Sequence, residues 1–389
     1  MSAPEEYVST ERVVETTRAL VRCDSQNPPG REAAVAATAT ALLAERGCAV
    51  ELFEPEPGRP SVLGRYAADS APGAPTLLVN GHLDVVPVAV DAWTRPPFDA
   101  VREGDRLYGR GAADMKGGIA AALEGLSACR DAGVPVPSRL LFHLVADEET
   151  GGRHGTEALV DAGLVDADAC LIPEPTGLRA SIAERGSVQV RVRVRGAAGH
   201  GSEPGAGRSA IADAAAMITA LHGTAYHERP HPLLGSPSGN VALIDGGVAA
   251  NVIAPHCAFV IDRRTLPGES AADVLAGLRT RIDAACPGAD YEMEALVEVE
   301  ASELRADHPF ARFVAASANT VPTGLSLGTD GRFLRNRLGI PTVVYGPGAI
   351  AQAHTADEWV SVAELTAAAR AFARVFATFG RDDAGPRLP

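Results

Sequence analysis

The chain has 389 residues, 46% hydrophobic and 22% charged, with a formal net charge of -14. That length exceeds one ordinary core, so two domains are expected, and the acidic balance argues against nucleic acid or an anionic membrane as partner. No apolar run approaches the roughly 18 to 20 residues of a membrane span, and Glu5 and Glu6 stand where a secretory signal would carry Lys or Arg. The six cysteines (Cys23, Cys48, Cys129, Cys170, Cys257, Cys286) form no C-x-x-C pair, so they read as reduced structural thiols of a cytoplasmic protein.

Taken in order, the spacing of Val13, Val14, Thr17 and Leu20 predicts a helix over 10–22, broken by Ser25-Gln-Asn-Pro-Pro-Gly30. A second helix over 31–46 ends at Gly47, and a third is expected over 119–128. The apolar runs at 76–80, 139–145, 169–172 and 341–345 have the grammar of strands buried on both faces. They predict an α/β fold, with a mostly parallel sheet and helices on both its faces. The middle of the chain changes character. In 187–195, Val188, Val190, Val192 and Val194 alternate with Gln189, Arg191, Arg193 and Arg195, as in an antiparallel strand with one wet face; the Arg stripe is read as a solvated face. Helices over 210–221 and 271–285 and strands over 239–244, 258–263 and 291–299 complete a βαββαβ order. The expected organisation is a first domain of 1–185 and 300–389 with an α+β domain of 186–299 inserted into it.

The predicted core strands end in polar residues: His82 and Asp84 after the first, Asp147-Glu148-Glu149 after the second, Glu174 after the third, His354 beyond the last. Ligands of open α/β sheets bind at the carboxyl ends of strands, so these side chains should converge, joined by Asp114 ahead of the third helix. Two histidines (His82, His354) and three carboxylates (Asp114, Glu149, Glu174) suffice for two tetrahedral zinc ions if one carboxylate bridges them. Three carboxylates and a hydroxide bring about +4 of metal charge near zero. Asp84, two residues after His82, is expected to accept the other ring N–H. Glu148 is left over from the coordination count and suits a general base for water. No serine-hydrolase elbow or phosphate loop occurs, and Gly346-Pro-Gly348 with Ala351 lacks the βαβ context of a dinucleotide finger.

The motifs Gly81-His82-Leu-Asp84-Val-Val-Pro87, Gly109-Arg-Gly-Ala-Ala-Asp114-Met-Lys-Gly-Gly118, Asp147-Glu148-Glu149-Thr-Gly-Gly152, Pro173-Glu174-Pro-Thr176 and Gln352-Ala-His354 resemble those of the zinc-dependent amidohydrolases and exopeptidases. That family includes acetylornithine deacetylase, succinyl-diaminopimelate desuccinylase, aminoacylase and glutamate carboxypeptidase. The match runs in order over nearly the whole chain, and segment 346–354 is most similar to the acetylornithine deacetylase branch. The resemblance implies that Asp114 bridges two metals, that His82 and Glu174 complete one site and Glu149 and His354 the other, and that the Asp114–Met115 peptide is cis. Glu148 becomes the base, with Asp84 behind His82, and a hydroxide shared by the metals attacks the amide carbon.

The resemblance further makes the inserted domain a lid and dimerisation domain. There His200, in Gly-His-Gly-Ser, would polarise the substrate carbonyl from the partner subunit, while Asn251 and Arg264 would meet the substrate, Arg264 at its carboxylate. Gly328 and Thr329, in Gly-Thr-Asp, are further substrate-binding candidates. The chain departs from the family pattern at Ala113, often Ser or another small residue, and at Gly328-Thr329-Asp330, where some branches read Gly-Thr-Ser-Asp. The implied activity is hydrolysis of a small N-acyl amino acid, with dipeptidase or carboxypeptidase action as the alternative. Two zinc ions, replaceable by cobalt, and a homodimer are expected, with no nucleic acid or membrane partner.

Overall fold

A computed structural model describes residues 3–226 and 230–381. The chain divides into two units: one runs to Ile182 and includes Leu304–Thr323 and Thr329 onward, the other comprises Ala183–Glu303 and Gly324–Gly328. The catalytic-domain limits expected at 1 and 389 lie outside the described residues.

In the first unit the apolar runs become four adjacent parallel strands, ordered Arg139–Val145, Thr76–His82, Ala169–Ile172 and Thr342–Val344. Every residue of Thr76–His82 is buried, which requires cover on both faces of the sheet. The flanks are antiparallel. Ser61–Tyr66 pairs with Arg139–Val145 and carries Ala49–Phe53 outside it, while Ala180–Glu184 lies antiparallel beside Thr342–Val344. Helix Lys116–Asp131 is buried over nearly its whole length and packs against Val362–Thr378. It starts three residues before the expected 119, because its first turn holds Lys116, Gly117 and Gly118 in the interior.

The second unit is a four-stranded antiparallel sheet in the order Ser238–Gly246, His256–Thr265, Gly186–Arg195, Asp290–Val299. Val188, Val190, Val192 and Val194 face helices Ala210–Leu221 and Ala271–Ala285, meeting Met217, Leu221, Leu278 and Ile282. On the other face Arg193 pairs with Glu294 at 2.9 Å and Arg195 with Glu292 at 2.7 Å. Acids of the neighbouring strand thus neutralise the Arg stripe, an exposed ladder worth little stability per pair.

All six cysteines are free, five of them buried. Among the described residues no helix is long and apolar enough to cross a membrane.

Candidate metal centre

Buried parallel strands deliver their last residues to one edge, and the chemistry-bearing side chains of the first unit collect there. His82 closes its strand with 1% exposure. Its Nε2 lies 3.1 Å from Asp114 Oδ1 and 3.3 Å from Glu174 Oε1. The second oxygen of Asp114 is 3.3 Å from His354 Nε2, which in turn is 3.1 Å from Glu149 Oε2. Asp114 therefore stands between two half-sites with one oxygen facing each, and it follows a loop that ends in a cis Asp114–Met115 bond. Glu174 is brought close because Gly118 lets its helix touch the strand exit: a Cβ there would sit 1.8 Å from the Pro173 carbonyl oxygen.

Glu148 and Glu149 lie in a 3-10 turn, Glu148–Thr150, where one residue rotates the side chain by about 120°, so the two diverge. The Glu148 carboxylate approaches His82 and Glu174, while that of Glu149 joins His82 and Asp114. Asp84 differs from expectation. His82 Nδ1 bonds to the backbone oxygen of Asp84 at 2.9 Å, whereas the nearest carboxylate oxygen stands at 3.6 Å. That carboxylate instead accepts the backbone N–H groups of Glu148 (3.2 Å) and Glu149 (3.1 Å), so it orients the turn as well as the strand end.

The electrostatics of these donors fit divalent cations. Burial lifts the Glu148 carboxyl well above the carboxylate range, with Asp330, Glu174 and Glu149 adding to the lift and His82 opposing it. Burial and Asp114 raise Glu174 to about 8. Bonds to Asp114 and Glu149 raise His354 to about 10. For His82, burial would depress the imidazolium, but the surrounding carboxylates outweigh it and raise its pKa well above the ordinary value. Acids crowded at this density favour protons or metal ions between them. Glu149 Oε1 is moreover buried with no hydrogen-bond partner among the described residues, a polar atom that a bound cation would satisfy. The imidazole and carboxylate donors suit zinc.

Sequence reasoning overlooked Glu358. Fully buried, it accepts the N–H groups of Ala113 (2.9 Å) and Asp114 (3.1 Å) with one oxygen and pairs with Arg110 through the other. It holds the loop that presents Asp114. Its only signal was proximity to His354, too weak to separate it from a surface acid.

The other candidates belong elsewhere. His200, Asn251, Arg264 and Gly328 lie in the second unit, and Thr329 in the first. His200 Nδ1 accepts the Ser202 backbone N–H at 3.2 Å, and the His200 loop is bridged to Val252, beside Asn251. A backbone N–H can only donate, so the neutral ring carries its proton on Nε2. Arg264 pairs with Asp262 at 2.9 Å and stays partly exposed. Gly328 approaches the backbone of Arg185: an added Cβ would meet the Arg185 carbonyl oxygen at 3.1 Å. Thr329 is 1% exposed, and its hydroxyl accepts the Gly331 N–H within its own turn.

Residues 78–378 match the peptidase family M20/M25/M40. The chain belongs to that family. By this membership it is a hydrolytic metalloenzyme. It is 35% identical to an acetylornithine deacetylase of Myxococcus xanthus over 321 residues, 80% of this chain and 82% of the relative. An acetylornithine deacetylase of Vibrio campbellii is 33% identical over 326 residues, 81% and 83% of the two chains. Among solved structures, an aminopeptidase PepT from Bacillus cereus superposes with a TM-score of 0.79 at 21% identity, covering 95% of this chain and 98% of that one. Human carnosine dipeptidase 1 gives 0.74 at 18% identity, covering 96% and 97%. These likenesses establish the fold.

Proposed function

We propose that this M20-family enzyme is a deacylase that hydrolyses the amide bond of a small N-acyl amino acid at a two-zinc centre. His82, Glu174 and Asp114 would hold one ion, and His354, Glu149 and Asp114 the other; cobalt suits the same donors. Bound there, the ions would polarise the scissile carbonyl and acidify a water molecule. Glu148 would take the water proton on its carboxylate and return it to the leaving amine. The observation carrying this reading is the Glu148 carboxyl itself, set against the donors of His82 and Glu174 and left over once the ligands of both half-sites are counted.

His200 Nε2–H would donate to the carbonyl oxygen as it gains charge, supplied from the partner subunit of a homodimer. The dimer reading is supported by the outer strand Ser238–Gly246, which among the described residues pairs on one side only and exposes Leu243 at 65% and Ile244 at 58%. Arg264 would form a two-pronged contact with the substrate carboxylate, with Asn251 and Gly328 lining the same substrate. The free thiols fit a cytoplasmic enzyme.

The deacylase reading is favoured over a dipeptidase or carboxypeptidase by the 35% identity to an acetylornithine deacetylase across most of both chains. N-acetyl, N-succinyl and N-formyl amino acids and a dipeptide panel, each assayed with zinc and with cobalt, decide between them. Turnover of an N-acyl amino acid well above every dipeptide is expected. The reverse preference would make the enzyme a peptidase.

A further inference from the structure

The segment that breaks the first helix, Ser25-Gln-Asn-Pro-Pro-Gly30, lies along the strand exit that carries the metal candidates. Ser25 Oγ donates to the Leu83 carbonyl, Asn27 N to the Val85 carbonyl, and Val85 N to the Ser25 carbonyl. From this position the Asn27 side chain reaches the turn that bears Glu148 and Glu149. Its Nδ2 is 2.8 Å from Asp84 Oδ2, 3.2 Å from Asp147 Oδ1 and 3.0 Å from Thr150 Oγ1. Asp147 also receives Arg59 Nη1 at 2.8 Å, the His154 N–H at 3.0 Å and the Thr150 hydroxyl. Arg59 is anchored in turn on Glu32, which is fully buried. Gly30 leaves room for that guanidinium: its φ is +88°, and an added Cβ would lie 2.5 Å from Arg59 Nε.

We propose that Asn27 and Arg59 are positioning residues for the metal centre, which they serve by fixing the two aspartates that shape the Glu148–Glu149 turn. The argument is one of satisfied charge. Asp84 and Asp147 are both buried, and a buried carboxylate keeps its place only while donors surround it. Among the described residues no lysine or arginine hydrogen-bonds the Asp84 carboxylate. It is held by Asn27 and, from the other side, holds the N–H groups of Glu148 and Glu149. An amide suits the position because its two N–H groups can serve two carboxylates at once. A carboxylate there would donate nothing and add a third negative charge. Arg59 supplies the one guanidinium of the network, neutralised on its far side by Glu32. Asn27, Glu32 and Arg59 all precede residue 78, where the family match begins, so this support comes from outside the matched segment.

The inference rests on the reading of the cluster as a two-metal centre. The test compares wild type with Asn27→Ala, Asn27→Asp and Arg59→Lys. Zinc affinity is read by competition with a chromophoric chelator, ligand geometry by the visible absorption of the cobalt form, and stability by melting of the metal-free protein. Asn27→Ala should weaken zinc binding roughly 10- to 100-fold, the range for groups that orient ligands, and alter the cobalt bands; Asn27→Asp should weaken it further. Arg59→Lys keeps the charge but loses the forked contact, and should give a smaller loss in the same direction. Wild-type affinity and cobalt bands in Asn27→Ala would overturn the proposal even if its melting temperature fell. Should the Asn27 variants fail to fold, unchanged affinity in Arg59→Lys overturns it. A wild type that binds no zinc refutes the metal centre as well, and so separates the two failures.

Discussion

In the first unit, His82, Asp114 and Glu174 are buried, with Asp114 and Glu174 both within 3.3 Å of His82, and the Asp114 loop and the Glu148–Glu149 turn are tied down by Glu358 and Asp84. In the second unit, His200 and Asn251 are exposed, and Arg264 pairs with Asp262 on its own strand. The contrast separates two tasks. Holding metal ions calls for ligands fixed beforehand by their neighbours, whereas meeting a substrate and its carbonyl calls for groups that can leave water to do so. Of the metal-ligand candidates only His354 is substantially exposed, at 54% of its side chain, and it marks where the cluster opens to solvent.

If the division holds, substitutions in the first unit should remove chemistry or metal, and those in the second should change binding or oxyanion support. The largest effect is expected at Glu148. Glu148→Gln should keep both metals yet lose on the order of 10³- to 10⁴-fold in kcat, the upper range for a general base. Near-normal turnover in a metal-replete variant would remove Glu148 from the mechanism. Next is Glu358→Ala, which strips two backbone N–H groups of their acceptor and leaves Arg110 buried without its partner. A loss of about 3 to 5 kcal/mol in stability is expected, read by urea unfolding. Glu358→Gln keeps an acceptor for Ala113 and Asp114 and should lose less. Equal losses would mean that only the Arg110 charge matters.

The second unit should give smaller numbers. His200→Ala should cost about 100-fold in kcat, equivalent to roughly 3 kcal/mol of oxyanion stabilisation. If the proposed homodimer forms, mixing it with Glu148→Gln subunits would give heterodimers in which one site pairs an intact Glu148 with His200 from the partner subunit. Recovered activity supports action in trans, and none in verified heterodimers refutes it. Arg264→Lys should raise KM about tenfold for substrates with a free carboxylate while sparing their amides, because the forked contact is lost. Equal effects on both would reduce Arg264 to the partner of Asp262.

The contrast also explains what could be read without a structure. His82, Asp114, Glu148, Glu149, Glu174 and His354 announce themselves because motif residues sit at the ends of apolar runs, and topology brings such ends together. The helices Ala210–Leu221 and Ala271–Ala285 were predicted with these same bounds, since one apolar face on an open sheet leaves a clear period. The flanking strands Ala49–Phe53 and Ser61–Tyr66 went unseen: the first is largely exposed, the second carries Gly64, and neither alternates cleanly. Asn27, Arg59 and Glu358 were illegible for a different reason. Each is an ordinary polar residue in a loop, and its role is set by partners 57, 88 and 245 positions away. Asp84 was seen, but not that its carboxylate serves backbone N–H groups across the sheet edge.

Zinc titration of the metal-free enzyme, with hydrolysis of an N-acyl amino acid followed at each step, bears on the central claim most directly. Two zinc ions should bind per chain, with activity reaching its plateau at the second equivalent. Full activity in verified metal-free protein, or two bound zinc ions with no hydrolysis of any N-acyl amino acid or dipeptide, would contradict it.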